Sequence, residues 1–223
     1  MVATGYSSSA SGYVQKTEIV DLTDPSKSCV LDDIPSRDGS TGGVLGTIPV
    51  ICGGYYGGGY LNECLLYGTS QVITMKSKRG FASSVAINPN KIWILGGYYI
   101  PYNGNVMDTT EFVTIDGGSE NGPTLPEAVY LSCAVKFPDT GDVYSIGGYT
   151  PSGRTKNVWV ANPSNAYMFS QGPSLMTARG EHACGTMSIG AKSIIVAAGG
   201  YNSGSLSSVE ILDPLSNQWV AGK

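Results

Sequence analysis

Apolar runs that stop abruptly on paired glycines, with a tyrosine next, recur along this 223-residue chain. IWILGGYY, residues 92–99, ends on Gly96-Gly97; VICGGYY ends on Gly53-Gly54, VYSIGGY on Gly147-Gly148 and IIVAAGGY on Gly199-Gly200. A weaker copy, VATGY, ends on Gly5-Tyr6. The tyrosines at these places, Tyr6, Tyr55, Tyr98, Tyr149 and Tyr201, lie 49, 43, 51 and 52 residues apart. A period of about fifty residues built from short strands is the spacing of radially stacked sheets, not of helical solenoids.

The interior of each period supports this. After each glycine pair comes a polar, glycine-rich loop and then a short apolar segment: TEIVDL (17–22), ECLLY (63–67), TEFVTI (110–115), NVWVA (157–161) and VEILDP (209–214). A turn leads to a further short segment such as SCVL, QVITM, AYMF or QWV, and a small-residue segment such as FASSVAI, YLSCAV or HACGTM returns to the next glycine pair. This predicts four strands per period, with turn signals between them and almost no stretch long enough for a helix. GGSENGPTLP (117–126) is nearly all turn formers and leaves the outer strand of the third unit undefined. Continuous apolar runs without alternation imply sheets covered on both faces, as stacking around an axis provides. Small residues in the inner strands fit the crowding near that axis, and the glycine pair fits backbone turning sharply beside a neighbour. The reading is one all-β propeller domain, 1–223, with units at about 1–34 (partial), 39–75, 79–122, 128–170 and 179–220.

These units resemble Kelch repeats, and the resemblance spans essentially the whole chain. Its fullest copy, residues 172–219, carries Arg179, His182, Gly199, Gly200, Tyr201, Glu210, the Asp213-Pro214 turn and Trp219. Other units depart from it. Cys29 and Tyr167 stand in the region of the tryptophan, with Val72 or Ile73 in the second unit. Arg37, Arg79 and Arg179 recur, with Glu127 near that place in the remaining unit; Glu18, Glu63, Glu111 and Glu210 recur, with Asn157 in the fourth. The resemblance implies a Kelch-type β-propeller, with six blades the expected ring. The first unit starts at its second strand, so the chain reads as four full four-stranded blades plus a partial one, an incomplete arc. Missing blades of the same ring, another protein, or self-association of two arcs are expected to cover the open blade faces.

Thirteen Lys and Arg against 17 Asp and Glu give a net charge of −4, and the densest basic group is only Lys76, Lys78 and Arg79. That excludes a phosphate-reading stripe, so nucleic acid is not an expected partner. No apolar run has the length of a membrane span, and the opening MVATGYSSS carries no leader pattern. His182 is the only histidine, so a Ser-His-Asp set would have to use it and a zinc site is not supported. It reads as a structural hydrogen-bonding group, and the recurring glutamates read as structural partners of the recurring arginines. The glycine pairs precede no helix and no Lys-Ser/Thr, so they are not phosphate loops. No catalytic residue, metal or cofactor is expected.

Of the five cysteines, Cys52 and Cys64 sit symmetrically about GGYYGGGY, where they can face each other as a disulfide; Cys29, Cys133 and Cys184 read as buried free thiols. The loops after the glycine pairs emerge on one face of the disc and add Tyr13, Tyr56, Tyr60, Tyr99 and Tyr102, with Arg154 at the edge. Aromatic groups on glycine-rich backbone suit recognition. The leading expectation is therefore a non-catalytic protein-binding or scaffold propeller. The alternatives are a portion of a carbohydrate-acting or other enzyme with its catalytic groups outside this chain, and a structural component of a larger assembly. Low charge with abundant Gly, Ser and Tyr leans toward an extracellular setting.

Overall fold

The computed structural model describes residues 35–100, 105–214 and 216–222, positions 24 and 26, and the backbone of strands within 2–33. Among these residues the strands form four antiparallel four-stranded sheets, one three-stranded sheet and small two-stranded hairpins. The first sheet comprises Val2–Ser7, Gly12–Ile19 and Cys29–Asp33. The second comprises Thr41–Leu45, Ile48–Cys52, Glu63–Leu66 and Val72–Thr74. The third comprises Ser83–Asn88, Lys91–Leu95, Thr110–Thr114 and Ser119–Asn121. The fourth comprises Cys133–Lys136, Val143–Ile146, Val158–Ala161 and Phe169–Gln171. The fifth comprises Ala183–Ile189, Lys192–Ala198, Val209–Asp213 and Gln218–Ala221. Each is a meander in sequence order, so these sheets resemble Kelch blades.

Two details differ from the sequence reading. GGSENGPTLP does hold an outer strand, Ser119–Asn121. AYMF does not form one: Ala166 and Tyr167 adopt left-handed backbone (φ 47° and 58°) after a 3-10 turn at Pro163–Asn165, and the strand begins at Phe169. Phe169 pairs with Ala161 as Trp219 pairs with Leu212, so Phe169, not Tyr167, stands at the tryptophan's place. Tyr167 instead packs edge-on against Trp93 of the third sheet, ring centroids 5.4 Å apart.

Three apolar layers lie between successive sheets. Cys52, Cys64, Leu66 and Ile73 of the second sheet pack on Ile92, Ile94 and Val113 of the third. Trp93, Leu95 and Phe112 on the third sheet's other face meet Val143 and Ala161 of the fourth. Tyr144, Ile146 and Val158 of the fourth meet Ile195, Leu212 and Trp219 of the fifth. Burying both faces of the third and fourth sheets is what their unalternating apolar runs require. The outward face of the fifth sheet differs: Met187, Ile189 and Val220 are exposed there.

The innermost strands lie side by side and are stitched by small residues. Thr41 Oγ1 donates to Ser84 Oγ at 2.7 Å, and the hydroxyls of Ser83 and Ser132 are 3.1 Å apart. Cys133 and Cys184 form a disulfide between the fourth and fifth sheets, Cα atoms 5.9 Å apart. These two cysteines are therefore not free thiols. By sheet register Cys133 stands where Thr41 does and Cys184 where Ser84 does, so the bond replaces a hydroxyl contact.

The glycine pairs sit where one sheet meets the crossover entering the next. At Gly96 and Gly97 φ is 61° and 113°, and a Cβ on Gly96 would lie 2.2 Å from the Val129 carbonyl oxygen. Only glycine allows that backbone and that approach. The second glycine then donates across the sheet boundary: Gly54 N–H to Arg79 O, Gly97 N–H to Val129 O and Gly148 N–H to Arg179 O.

Candidate binding face

The recurrent charges build the frame that positions this face. Arg79 Nη1 donates to the carbonyls of Gly96 and Thr109, and Nη2 reaches Glu111 Oε1 at 2.7 Å with both side chains buried. Glu111 also accepts from the Lys76 and Ser77 N–H groups and the Ser119 hydroxyl. Burial opposes ionisation of Glu111, but the charge of Arg79 and these donors hold its carboxyl below its ordinary value. The fifth sheet repeats the arrangement: Arg179 binds Gly199 O, Ser208 O and Glu210, which accepts from the Met176 and Thr177 N–H groups. Each glutamate thus clamps the crossover arriving from the preceding sheet.

The structure corrects how far this pattern extends. Glu63 is not at the place of Glu111 and Glu210. Its carbonyl accepts from Gly53 N–H as Thr109, Asn157 and Ser208 do for their glycines. Strand register puts Leu65 and Trp159 opposite Ile51 and Ser145, the places that Glu111 and Glu210 fill opposite Ile94 and Ala197. Arg37 accordingly bonds Gly53 O, and its nearest approach to the Glu63 carboxylate is 4.0 Å, with Glu63 half exposed. Glu127 does not replace arginine either; Val129 does, and Glu127 accepts from Asn157 Nδ2 at 2.9 Å.

On this frame the tyrosines form one unbroken row. Tyr55 meets Tyr60 at 5.1 Å between ring centroids, Tyr60 meets Tyr98 and Tyr99 at 6.0 Å, Tyr98 meets Tyr130 at 5.2 Å, and Tyr130 meets Tyr149 at 5.3 Å. Arg154 completes the row, its guanidinium 4.8 Å from the Tyr149 ring and 4.7 Å from Tyr201. The repeat tyrosines 55, 98, 149 and 201 therefore alternate with Tyr60, Tyr130 and Arg154 as fillers. Each repeat tyrosine is bridged to the start of its sheet's inner strand, at Asp38, Gly80, Tyr130 and Gly180 respectively. Gly80 and Gly180 leave room for rings: a Cβ on Gly180 would sit 2.2 Å from Tyr149. Burial, then the neighbouring phenols and Asp38, push Tyr60 up to about 12; burial also raises Tyr130 and Tyr149. Tyr60, Tyr130 and Tyr149 therefore stay protonated at neutral pH. Tyr56 is 46% and Tyr201 38% exposed.

Inside this arc lies a cavity of about 370 Å³ at the mouth of the inner strands, lined by Ser40, Phe81, Leu131, Ser132, Glu181 and His182, among others. Gly39, Phe81, Leu131 and Glu181 occupy equivalent left-handed positions, φ 50° to 61°, and Phe81, Leu131 and Glu181 N–H donate in turn to Gly39, Phe81 and Leu131 carbonyls. Glu181 accepts from the Tyr149 hydroxyl at 2.8 Å. His182 is 8% exposed, and neither ring nitrogen has a hydrogen-bond partner among the described residues. It is thus not the hydrogen-bonding group its sequence position suggested. Its Cε1 lies near Gly147 of the preceding sheet, where a Cβ would come within 3.1 Å of it. Burial, then the charge of Arg179, lower its pKa to about 4, so it is a neutral imidazole at pH 7.

Cys52 and Cys64 are directly opposed on adjacent strands and joined, Cα atoms 3.9 Å apart. Trp219 Nε1 donates to Pro173 O. Gly5 and Tyr6, and Tyr13 and Glu18, lie on the first two strands, where only backbone is described and Tyr6 pairs in register with Tyr13. Tyr102 lies outside the described residues. Tyr130, Phe81 and Glu181 carry no mark in the sequence that sets them apart as site residues. Tyr130 was within reach, since aligning YLSCAV with GFASSV puts it at Gly80. No group of three His, Cys, Asp or Glu side chains among the described residues is placed to hold one metal ion. No helix there is long and apolar enough to cross a membrane.

Compared with known proteins, residues 191–222 match the family model of the Kelch motif, spanning the last three strands of the fifth sheet. No curated protein matches the chain.

Proposed function

We infer that this chain, which belongs to the Kelch-repeat family, is a non-catalytic protein-binding scaffold whose contact surface is the tyrosine row. Kelch-repeat proteins generally act as protein-interaction scaffolds, and that general role is the premise. The observation that carries the specific reading is the continuity of the row across four sheets. Rigid, amphipathic rings in one band supply contact area at low entropic cost, with hydroxyls for orientation. The exposed Tyr56, Ile100 and Tyr201 lie on the same side.

Peptide ligands selected by display on the folded chain, then mapped by amide chemical shifts, test this. Shifts should cluster around Tyr55, Tyr98, Tyr130, Tyr149 and Tyr201, and Tyr56→Ser with Tyr201→Ser should weaken binding at least tenfold. Ligands that map to the opposite turns, around Pro89, Thr140 and Gly190, would overturn it.

A second reading, a structural component of a larger assembly, is favoured by the exposed Met187, Ile189 and Val220 on the fifth sheet. A further sheet, from the same ring or from a second copy, suits that face. Sedimentation tests it: assembly should be lost with Ile189→Lys, and a chain monomeric at high concentration would reject self-association. For compartment, the two disulfides support an oxidising, extracellular setting.

A further inference from the structure

We propose that the cavity inside the tyrosine arc takes one basic side chain, arginine or lysine, from the bound protein, seated on Glu181 with Phe81 and Leu131 along its stem. This rests on the protein-binding reading and deepens it by naming the chemistry of the ligand.

Three observations converge on a cation. The first is the backbone: Gly39 shows that glycine serves at this left-handed position, yet Phe81, Leu131 and Glu181 hold it with full side chains. Such residues sit in a sterically disfavoured state and persist where the surroundings impose it, commonly at functional sites. Here they aim two apolar groups and one carboxylate at a common opening. The second is the carboxylate: Glu181 is exposed, its named partner is the neutral Tyr149 hydroxyl, and no cation lies within salt-bridge distance among the described residues. An anionic ligand would meet this charge unpaired, which is a strong basis for rejection.

The third observation is an internal precedent. Arg154 already lies between the rings of Tyr149 and Tyr201, so the arc's own chemistry accepts a guanidinium against tyrosine faces. Tyr149 is shared, touching Arg154 through its ring and Glu181 through its hydroxyl. His182 at the same cavity is neutral and its nitrogens are buried, so Glu181 is the charged group of the lining. The neighbouring Arg179 is already engaged by Glu210 and by the carbonyls of Gly199 and Ser208.

The test is an amide chemical-shift titration of the whole chain with a capped Gly-Arg-Gly peptide, and with the same peptide carrying neutral citrulline. Saturable shifts are expected at Phe81, Leu131 and Glu181 with arginine, at least fivefold weaker binding in Glu181→Gln, and no saturation with citrulline. Equal responses to the two peptides, an unchanged affinity in Glu181→Gln, or no saturable shift would overturn the proposal. If the arginine peptide fails while display-selected ligands still perturb the tyrosine row, only the cavity assignment falls. If selected ligands leave the row unperturbed, the protein-binding reading falls instead.

Discussion

The third and fifth sheets close their incoming crossovers with the same buried ion pair; the second and fourth share their strand order yet lack it. In the second sheet Leu65 stands in place of the glutamate, and the Cys52–Cys64 disulfide ties the same two strands. In the fourth, Val129 and Trp159 replace the two charges, and a Glu127–Asn157 hydrogen bond remains at the rim. What the three boundaries between the second and fifth sheets all retain is backbone: the N–H of Gly54, Gly97 or Gly148 bonded to the carbonyl of Arg79, Val129 or Arg179. The architecture is therefore carried by glycine geometry and main-chain bonds, and the side-chain latch is interchangeable. Buried ion pairs often contribute no more than well-packed apolar residues, which makes such exchange feasible.

Interchangeable between sheets does not mean dispensable in place, and one substitution made at two sites separates these ideas. Glu111→Gln leaves buried Arg79 without its counter-charge and puts amide hydrogens toward the Lys76 and Ser77 N–H groups. A cost of about 3–5 kcal/mol is expected. Glu63→Gln removes a half-exposed carboxylate 4.0 Å from its arginine and should cost about 0–1 kcal/mol. Urea unfolding of both variants measures the contrast. Equal costs would mean that the second sheet's pair holds its arginine as firmly as the third's.

How far the sequence could be read follows from the same comparison. The glycine pairs and their period were legible because they report backbone geometry, which every unit must satisfy. The glutamates were misaligned because Glu63 is displaced by two positions, and a two-residue slip on a strand keeps the same face. Alternation cannot expose that error; only the hydrogen bonds of Gly53 and Gly96 do. Aligning Thr41 with Cys133 and Ser84 with Cys184 would have suggested the second disulfide, but only once the inner strands are known to be neighbours. Tyr130 needs that alignment to be found, because it enters the row from the start of an inner strand, whereas the other rings come from the loops after the glycine pairs.

The two disulfides extend the comparison from latches within a sheet to links between sheets. Cys133–Cys184 closes a separation of 51 residues and crosses the fourth–fifth boundary; Cys52–Cys64 closes 12 within the second sheet. Chain-entropy reasoning gives about 2–4 kcal/mol for each, with the longer closure worth about 1 kcal/mol more. Cys133→Ala with Cys184→Ala should therefore lower the denaturation midpoint more than Cys52→Ala with Cys64→Ala. The reverse order would show that the inner strands are held chiefly by packing and hydroxyl contacts, as Thr41 and Ser84 are.

His182 offers the finest version of the contrast, because the equivalent residues of the other sheets are Ser40, Ala82 and Ser132. Among the described residues, only the fifth sheet buries a titratable ring at the axial mouth. Its folded pKa of about 4 lies below the ordinary 6.5, so between these values the unfolded chain binds more protons than the folded one. Stability must then fall as pH drops from about 6.5 toward 4, by at most about 3 kcal/mol at about 1.4 kcal/mol per unit. The share carried by other carboxylates has a different position on the pH axis and survives removal of the ring. His182→Ser, which restores the residue of the second and fourth sheets, should flatten that limb whatever it does to stability at pH 7. Urea midpoints at pH 7, 5.5 and 4 measure the slope. A variant with the slope of the parent would mean that the imidazole takes up its proton while the fifth sheet stays docked.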